Sequence, residues 1–153
     1  MADAGYLTYL VGGVIRDQIL NLKKPPDYDL ATNAPLSIIR QLFDTRELGR
    51  RFGTIAIIAP NNRIDIARMR TETSYSNHRH PDTVTFTDSI ELDLNRRDFT
   101  INAMAWDPLA QVLIDPFNGL NDLHAGILRP VGTAHDRFSE DSLPHHRNIH
   151  HRF

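Results

Sequence analysis

Residues 9–32 join four features that together restrict the fold: an apolar segment, a Gly-Gly pair, a helical pattern and an Asp-Tyr-Asp triplet. The order predicts a strand, a tight turn, a short helix and a second strand. A glycine turn in front of a helix lets an anion approach main-chain N–H groups. Asp27 and Asp29 lie two residues apart, and alternate residues of a strand share one face. The stretch therefore predicts an anion-binding turn beside two carboxylates that can serve as metal ligands.

Each feature also has a purely structural interpretation. Gly12-Gly13 after a strand is more often only a tight turn. Asp27 follows two prolines, so a surface turn explains it as well. The combination favours a site, because Arg16 and Asp17 follow the glycines and the acidic pair comes after one short helix. These groups lie close enough along the chain to contact one ligand.

Two blocks of the sequence resemble a known family. The first is LVGGVIRD with DYDLAT, and the second, at residues 96–105, is RRDFTINAMA. Both are similar to motifs of class II tRNA nucleotidyltransferases, the CCA-adding enzymes, and of the related bacterial poly(A) polymerases. The resemblance extends from residue 9 to about 141 and includes ELGRRFGTIAI, IDIARMRTE and DPFNGLNDL. It implies an α/β (α+β) fold, the polymerase-beta-like nucleotidyltransferase head, with a mixed sheet, an antiparallel hairpin and flanking helices.

Length and composition fit one compact domain. The chain has 153 residues, 41% of them hydrophobic, which suffices for one core but not for two. We expect a head domain at residues 1–138 and the start of a divergent neck helix, or an irregular tail, at 139–153. Without cysteine, a long apolar run or a signal-peptide pattern, the sequence is typical of a cytoplasmic protein with no membrane partner.

Periodicity predicts where the motifs lie. The predicted strands are 7–11, 28–31, 54–59, 63–69 and 112–114, and the predicted helices are 14–21, one from residue 34 capped by Asn33, and 95–106. Pro60-Asn61-Asn62 predicts a hairpin between the third and fourth strands. The polar run 71–82 predicts an exposed loop, in which His78 and His80 lack a third ligand and are more typical of solvated side chains than of a metal site.

Asp65 alternates with Ile64 and Ile66, so it projects to the opposite face of its strand. There it can join Asp27 and Asp29. The resemblance implies an acidic residue at this position, near the metals. The alternative is a solvent-facing strand residue.

Arg96 and Arg97 are expected in the first turn of the helix predicted at 95–106. Cations at a helix N-terminus oppose the helix dipole, which favours a bound anion such as a triphosphate. A salt bridge with Asp93 or Asp98 is the structural alternative. Asn102, one turn beyond Asp98, can add a neutral hydrogen bond.

The resemblance implies an RNA 3′-end nucleotidyltransferase that adds C and A from CTP and ATP to tRNA by a two-metal mechanism. Asp27 and Asp29 would hold two Mg²⁺ ions and, with Asp65, form the catalytic group. Gly12, Gly13 and Arg16 would position phosphates and sugar, Arg97 would clamp the triphosphate, and Asp98 would reach the ribose.

The C-terminal residues depart from the family pattern. Glu140, Asp141 and Arg147 match base-selecting positions, but Pro144 stands where an arginine is expected, and proline also disrupts a helix. Relatives continue into a helical body that binds tRNA, and the net charge of −2 lacks the basic surplus typical of tRNA binding. We therefore expect weak base selection and weak tRNA binding. For the end LPHHRNIHHRF, a histidine-rich metal tail is one interpretation. A tail translated out of frame, or the end of a shortened gene, explains the loss of the family pattern better.

Two alternatives remain from the sequence. One is a bacterial poly(A) polymerase, since GRRF and the glycine motif occur on that branch too. The other is a catalytically weak or silent remnant that binds nucleotide without turnover.

Overall fold

The computed structural model describes residues 1–22, 28–47, 54–58, 63–73 and 83–132. Within them, the helices are α1 (Gly13–Ile19), α2 (Leu36–Leu42), α3 (Ile90–Asn95) and α4 (Gly119–His124), with 3-10 turns at Ala2–Ala4 and Thr100–Asn102. The strands are β1 (Thr8–Val11), β2 (Tyr28–Thr32), β3 (Thr45–Glu47), β4 (Thr54–Ile58), β5 (Arg63–Arg68), β6 (Arg70–Thr73), β7 (Thr83–Phe86), β8 (Ala105–Asp107) and β9 (Val112–Ile114). None of the described helices has the length and apolar character needed to cross a membrane.

Seven of the described strands form one mixed sheet in the order β3-β4-β5-β2-β1-β8-β9, and β6 pairs with β7 separately. The β2–β5 pair is parallel, whereas the other pairs in the sheet are antiparallel. This confirms the mixed sheet and the hairpin of β4 and β5. The parallel pair fixes the relation between two acidic strands, because β2 carries Asp29 and β5 carries Asp65.

Helices cover the two faces unequally. On one face, α1 and α4 pack through Val14, Ile15 and Leu123 beneath β1 and β8, and α2 packs through Ile39 on Ile55 and Ile66. On the other face, α3 packs through Ile90 and Leu94 on Tyr9, Val11 and Ala31. Fully burying a side chain such as Leu94 contributes roughly 1.5–3 kcal/mol. Asp29 shares the α3 face, since it precedes Ala31 by two residues on β2.

The prediction of a helix at residues 95–106 is wrong. The helix of this region is α3, which ends at Asn95 and is capped at its start by Ser89, whose Oγ accepts from Leu92 N at 3.3 Å. Residues from Phe99 onward pair with a later segment instead, through a bridge between Phe99 and Pro130 and a 2.9 Å bond from Thr100 N to Arg129 O. These long-range bonds outweigh the helical pattern, and Trp106 lies in β8.

Two smaller predictions also differ from the structure. Helix α2 begins at Leu36 after Pro35, without a side-chain cap, and Asn33 instead accepts a hydrogen bond from Leu7 N at 2.9 Å. Residues 71–73, predicted as loop, belong to strand β6. The remainder of that loop, with His78 and His80, lies outside the described residues.

Candidate active site

The Gly12 turn between β1 and α1 is the centre of the site. Gly12 has φ 76° and ψ −144°, a conformation that essentially only glycine adopts without strain. A Cβ at this position would lie 3.2 Å from Arg97 Nη1 and 3.7 Å from Asp29 Oδ2. The missing side chain therefore lets a guanidinium and a carboxylate approach the same point of the backbone. Gly13 then begins α1, where a Cβ would lie 3.3 Å from Arg16 Nη2.

Asp29 and Asp65 are paired residues of the neighbouring parallel strands β2 and β5. Paired residues project to the same face, so the two carboxylates leave the sheet side by side. Asp29 is exposed and Asp65 is half-buried. Adjacent like charges repel, and carboxylate oxygens are the donors that divalent cations such as Mg²⁺ take. The pair therefore fits a divalent metal ion.

A third metal ligand is not found in the described part of the chain, where no group of three acidic or histidine side chains comes together. Asp27, the other predicted ligand, lies outside the described residues. Its alternation with Asp29 remains the basis for placing it on the same face.

Arg96 and Arg97 follow the C-terminus of α3 instead of opening a helix, so the dipole argument made from the sequence is wrong. Both contact the buried Asp93, as the structural alternative predicted: Arg96 Nη2 lies 2.9 Å from Oδ1 and Arg97 Nη2 lies 3.4 Å from Oδ2. Burial lowers the pKa of the Arg97 guanidinium, while the charges of Asp93 and Asp29 oppose that shift. Arg97 thus lies between a buried carboxylate and an exposed one.

A chain of hydrogen bonds runs along the other side of the Gly12 turn. Arg16 contacts Asp17 Oδ1 from Nε at 2.9 Å and from Nη2 at 2.7 Å, and its Nη1 donates to Asn102 Oδ1 at 2.9 Å. Asn102 Nδ2 then donates to Asp98 Oδ1 at 3.3 Å. The chain fixes the orientation of the Asn102 amide and holds the exposed Asp98 carboxylate near α1.

Hydrogen bonds to Asp122 of α4 stabilise the 3-10 turn that carries Asn102. Thr100 Oγ1 donates to Asp122 Oδ2 at 2.7 Å, and Arg129 Nε lies 3.0 Å from the same oxygen. Both bonds lower the pKa of Asp122, and the bond from Arg129 has the larger effect. A Cβ on Gly119 would lie 2.1 Å from Thr100 O, so only glycine allows α4 to approach this closely.

The structure brings most of the predicted site residues together. Those around the Gly12 turn are Gly12, Gly13, Arg16, Asp29, Asp65, Arg97, Asp98 and Asn102. Glu140, Asp141 and Arg147 lie outside the described residues, as does Asp27.

Sequence reasoning placed Asp17 near the site without a defined role and treated Asp93 only as a structural salt-bridge partner, although each contacts an arginine of the site. The signal for Asp93 was its spacing: it precedes Arg96 by three residues and Arg97 by four, which places helical side chains on one face.

Comparison with known proteins gives consistent relatives. The family model of the poly A polymerase head domain matches residues 8–129. The CCA-adding enzyme of Lactiplantibacillus plantarum is 48% identical over 141 residues, which is 92% of this chain and 34% of that protein. Among solved structures, the Bacillus stearothermophilus CCA-adding enzyme in complex with CTP has a TM-score of 0.79 and 35% identity, with 92% of this chain and 33% of that chain covered.

A third relative is the Thermotoga maritima CCA-adding enzyme complexed with tRNA, which has a TM-score of 0.68 and 29% identity over 92% of this chain and 32% of that chain. The chain spans about a third of the length of these relatives. Because the family model covers most of the chain and the fold agrees with the solved structures, this chain belongs to the poly A polymerase head-domain family, which it shares with CCA-adding enzymes.

Proposed function

We propose that this chain is the nucleotidyltransferase head of an RNA 3′-end enzyme that adds C and A from CTP and ATP to tRNA. The observation that carries the proposal is the approach of Arg97 and Asp29 to the side-chain-free Gly12 turn, with Asp65 beside Asp29. A guanidinium that can bind phosphate therefore lies next to two carboxylates that can bind a metal ion. Related CCA-adding enzymes have been solved with CTP and with tRNA.

Nucleotidyltransferases generally use divalent metal ions, and we propose Mg²⁺ here. Asp29 and Asp65, together with Asp27, would hold the metal through hard oxygen donors. When bound, the metal neutralises charge on the triphosphate and lowers the pKa of the attacking 3′-hydroxyl.

Arg97 and the glycine turn would bind the triphosphate. The Gly12 turn is free of a side chain, and the Arg97 Nη1 group lies beside it. Guanidinium N–H groups match phosphate oxygens, and contacts to a charged partner are about twice as strong as neutral ones. In the reaction, the 3′-oxygen of the RNA forms a bond to the α-phosphorus and pyrophosphate leaves, so a fixed cation beside the leaving group stabilises the charge that develops there.

The hydrogen-bonded chain of Arg16, Asn102 and Asp98 would hold the sugar. Its amide and carboxylate are fixed in orientation, and Asp98 is exposed beside the turn. A carboxylate accepts the hydrogen bonds that ribose hydroxyls donate.

Base selection by Glu140, Asp141 and Arg147, the division into residues 1–138 and 139–153, and a cytoplasmic location stay predictions from the sequence. Poly(A) polymerase activity is the second candidate, favoured by the family whose model the chain matches.

Nucleotide incorporation tests the proposal. The chain is incubated with Mg²⁺ and labelled CTP or ATP, with either a tRNA that ends before CCA or a generic oligonucleotide. Because base selection and tRNA binding are expected to be weak, we expect slow incorporation that favours the tRNA over the oligonucleotide. Addition of A runs to both substrates would support the poly(A) polymerase candidate, and no incorporation into either would contradict a transferase function and favour a silent nucleotide-binding remnant.

A further inference from the structure

The carboxylate of Asp93 lies directly behind the proposed triphosphate site. Its side chain is 1% exposed, and three residues donate hydrogen bonds to it. Arg70 N lies 3.1 Å from Oδ1, Arg96 Nε lies 3.0 Å from the same oxygen, and Arg97 Nη2 lies 3.4 Å from Oδ2. A buried carboxylate is stable only when its charge is compensated in this way.

The two carboxylate oxygens of Asp93 have different hydrogen-bond partners. Oδ1 is held by the main chain of β6 and by Arg96, which contacts it from both Nε and Nη2. Because these donors come from two elements, they prevent rotation of the carboxylate. The position of Oδ2, and with it the point at which Arg97 is held, is therefore fixed by the fold.

The neighbouring charges distinguish Arg97 from Arg96. Arg96 also lies 3.4 Å from Glu72 Oε1, and Glu72 in turn contacts Arg70 at 2.8 Å. Arg96 is therefore shared between Asp93 and Glu72, whereas Arg97 extends from Asp93 toward the Gly12 turn.

Among these arginines, Arg97 has hydrogen-bond donors that the protein does not fully use. Its Nε is buried and has no hydrogen-bond partner among the described residues, and its Nη1 makes only a 3.4 Å contact to Asn102 O beside the Gly12 turn. The edge of the Arg97 guanidinium that carries Nη1 therefore lies at the Gly12 turn.

We propose that Asp93 is a positioning residue: it holds the Arg97 guanidinium by the Nη2 side so that the Nη1 side faces the triphosphate at the Gly12 turn. The planar fork of arginine has donors on two edges, so it can bridge a carboxylate and a phosphate, whereas a lysine ammonium is a point charge. The inference rests on the proposed function, because the triphosphate comes from it.

A double-mutant cycle tests the coupling. CTP affinity is measured calorimetrically in Mg²⁺ for the parent chain, Asp93→Asn, Arg97→Ala and the double variant, with thermal unfolding of each. In Asp93→Asn the amide can still accept at one oxygen but presents a donor to the other side, so Arg97 is released. We expect about a tenfold loss for Asp93→Asn, about a thirtyfold loss for Arg97→Ala and no further loss in the double variant.

Glu72→Gln is the matched control, since Glu72 contacts Arg96 and Arg70 in the same cluster. Its CTP affinity should stay within about twofold of the parent. Losses that add up in the double variant, or an Asp93→Asn protein that melts lower but binds CTP normally, would show a merely structural role and overturn the inference.

Arg97→Lys provides a second test if Asp93→Asn does not fold. It keeps the charge but cannot bridge both partners, so its CTP affinity should fall nearly as far as that of Arg97→Ala. Affinity equal to the parent would overturn the bridging role. If instead the parent chain binds no CTP, the proposed function itself fails, which separates the two outcomes.

Discussion

Asp29 and Asp65 are directly paired across the parallel strands β2 and β5, so their carboxylates leave the sheet on the same face. On this face, α3 is buried against residues of β1 and β8 and against Ala31 of β2. Asp29 lies outside that buried cluster and is exposed. The pairing requires both the crossover from β2 to β5 and the hairpin of β4 and β5. A change of register by one residue would move one carboxylate to the opposite face.

Removal of the Arg97 guanidinium should weaken nucleotide binding. Arg97→Ala is expected to lower CTP affinity by about 2 kcal/mol, the scale of a charge-assisted contact. Arg40→Ala is the control, because Arg40 is an exposed arginine of α2, which packs on the opposite face of the sheet from α3. Calorimetric titration should show a large loss for the first variant and a small one for the second. Equal losses would mean that nucleotide binding responds only to the net charge of the chain.

A side chain at Gly12 should affect both stability and binding. Gly12→Ala is expected to lower the free energy of unfolding by about 1–3 kcal/mol because of its backbone conformation, and its methyl group would crowd Arg97 and Asp29. Gly5→Ala has a similar φ of 77° but nothing within 4 Å of the new Cβ. Chemical denaturation and CTP titration should therefore show lost stability in both variants and lost binding only at Gly12. Normal CTP binding by Gly12→Ala would contradict the assignment of this turn.

Acidification should remove the contribution of the ionised Asp122 carboxylate to the stability of the fold. Its pKa is lowered in the fold by the hydrogen bonds of Arg129 and Thr100. The ionised carboxylate therefore stabilises the fold above its unfolded pKa of about 3.9, and this stabilisation is lost as the pH falls through the lower folded value.

Melting curves of the parent and Asp122→Asn from pH 7 to pH 3 should show a Tm difference that is largest at neutral pH and shrinks below about pH 4. Asp88→Asn, at an exposed position, is the matched control. A Tm difference that stays constant with pH would show that the Asp122 charge does not contribute.

The sequence predicted the elements whose signals are local. The glycine turn, the strand of Asp29 and the hairpin that brings in Asp65 follow from short patterns and are found in the structure. The region after α3 was predicted wrongly because its conformation depends on pairing with residues 129–131, such as the 3.0 Å bond from Val131 N to Asp98 O. Such distant partners leave no periodic signal. The spacing of Asp93 indicates its contacts with Arg96 and Arg97, but its hydrogen bond from Arg70 N depends on strand β6 lying beside α3.

Base preference should be weak in this chain. The resemblance implies that Pro144 replaces a base-selecting arginine, and loss of a directed donor would remove most of the discrimination that hydrogen bonds provide. Affinities for CTP, ATP, GTP and UTP in Mg²⁺ should therefore be similar, and Pro144→Arg should favour CTP and ATP. Strict selection of CTP and ATP by the parent chain would contradict this reading of residues 140–147.

The most direct test of the account is CTP binding by the parent chain and by Asp29→Ala, each with Mg²⁺ and with EDTA. Asp29 is exposed, so its removal should leave the thermal unfolding temperature nearly unchanged while it abolishes the metal-dependent binding. Asp27→Ala should behave in the same way, and Asp65→Ala should weaken binding. The account predicts CTP binding that requires both Mg²⁺ and Asp29. Binding that persists in EDTA, or that Asp29→Ala retains at parental strength in Mg²⁺, would contradict it.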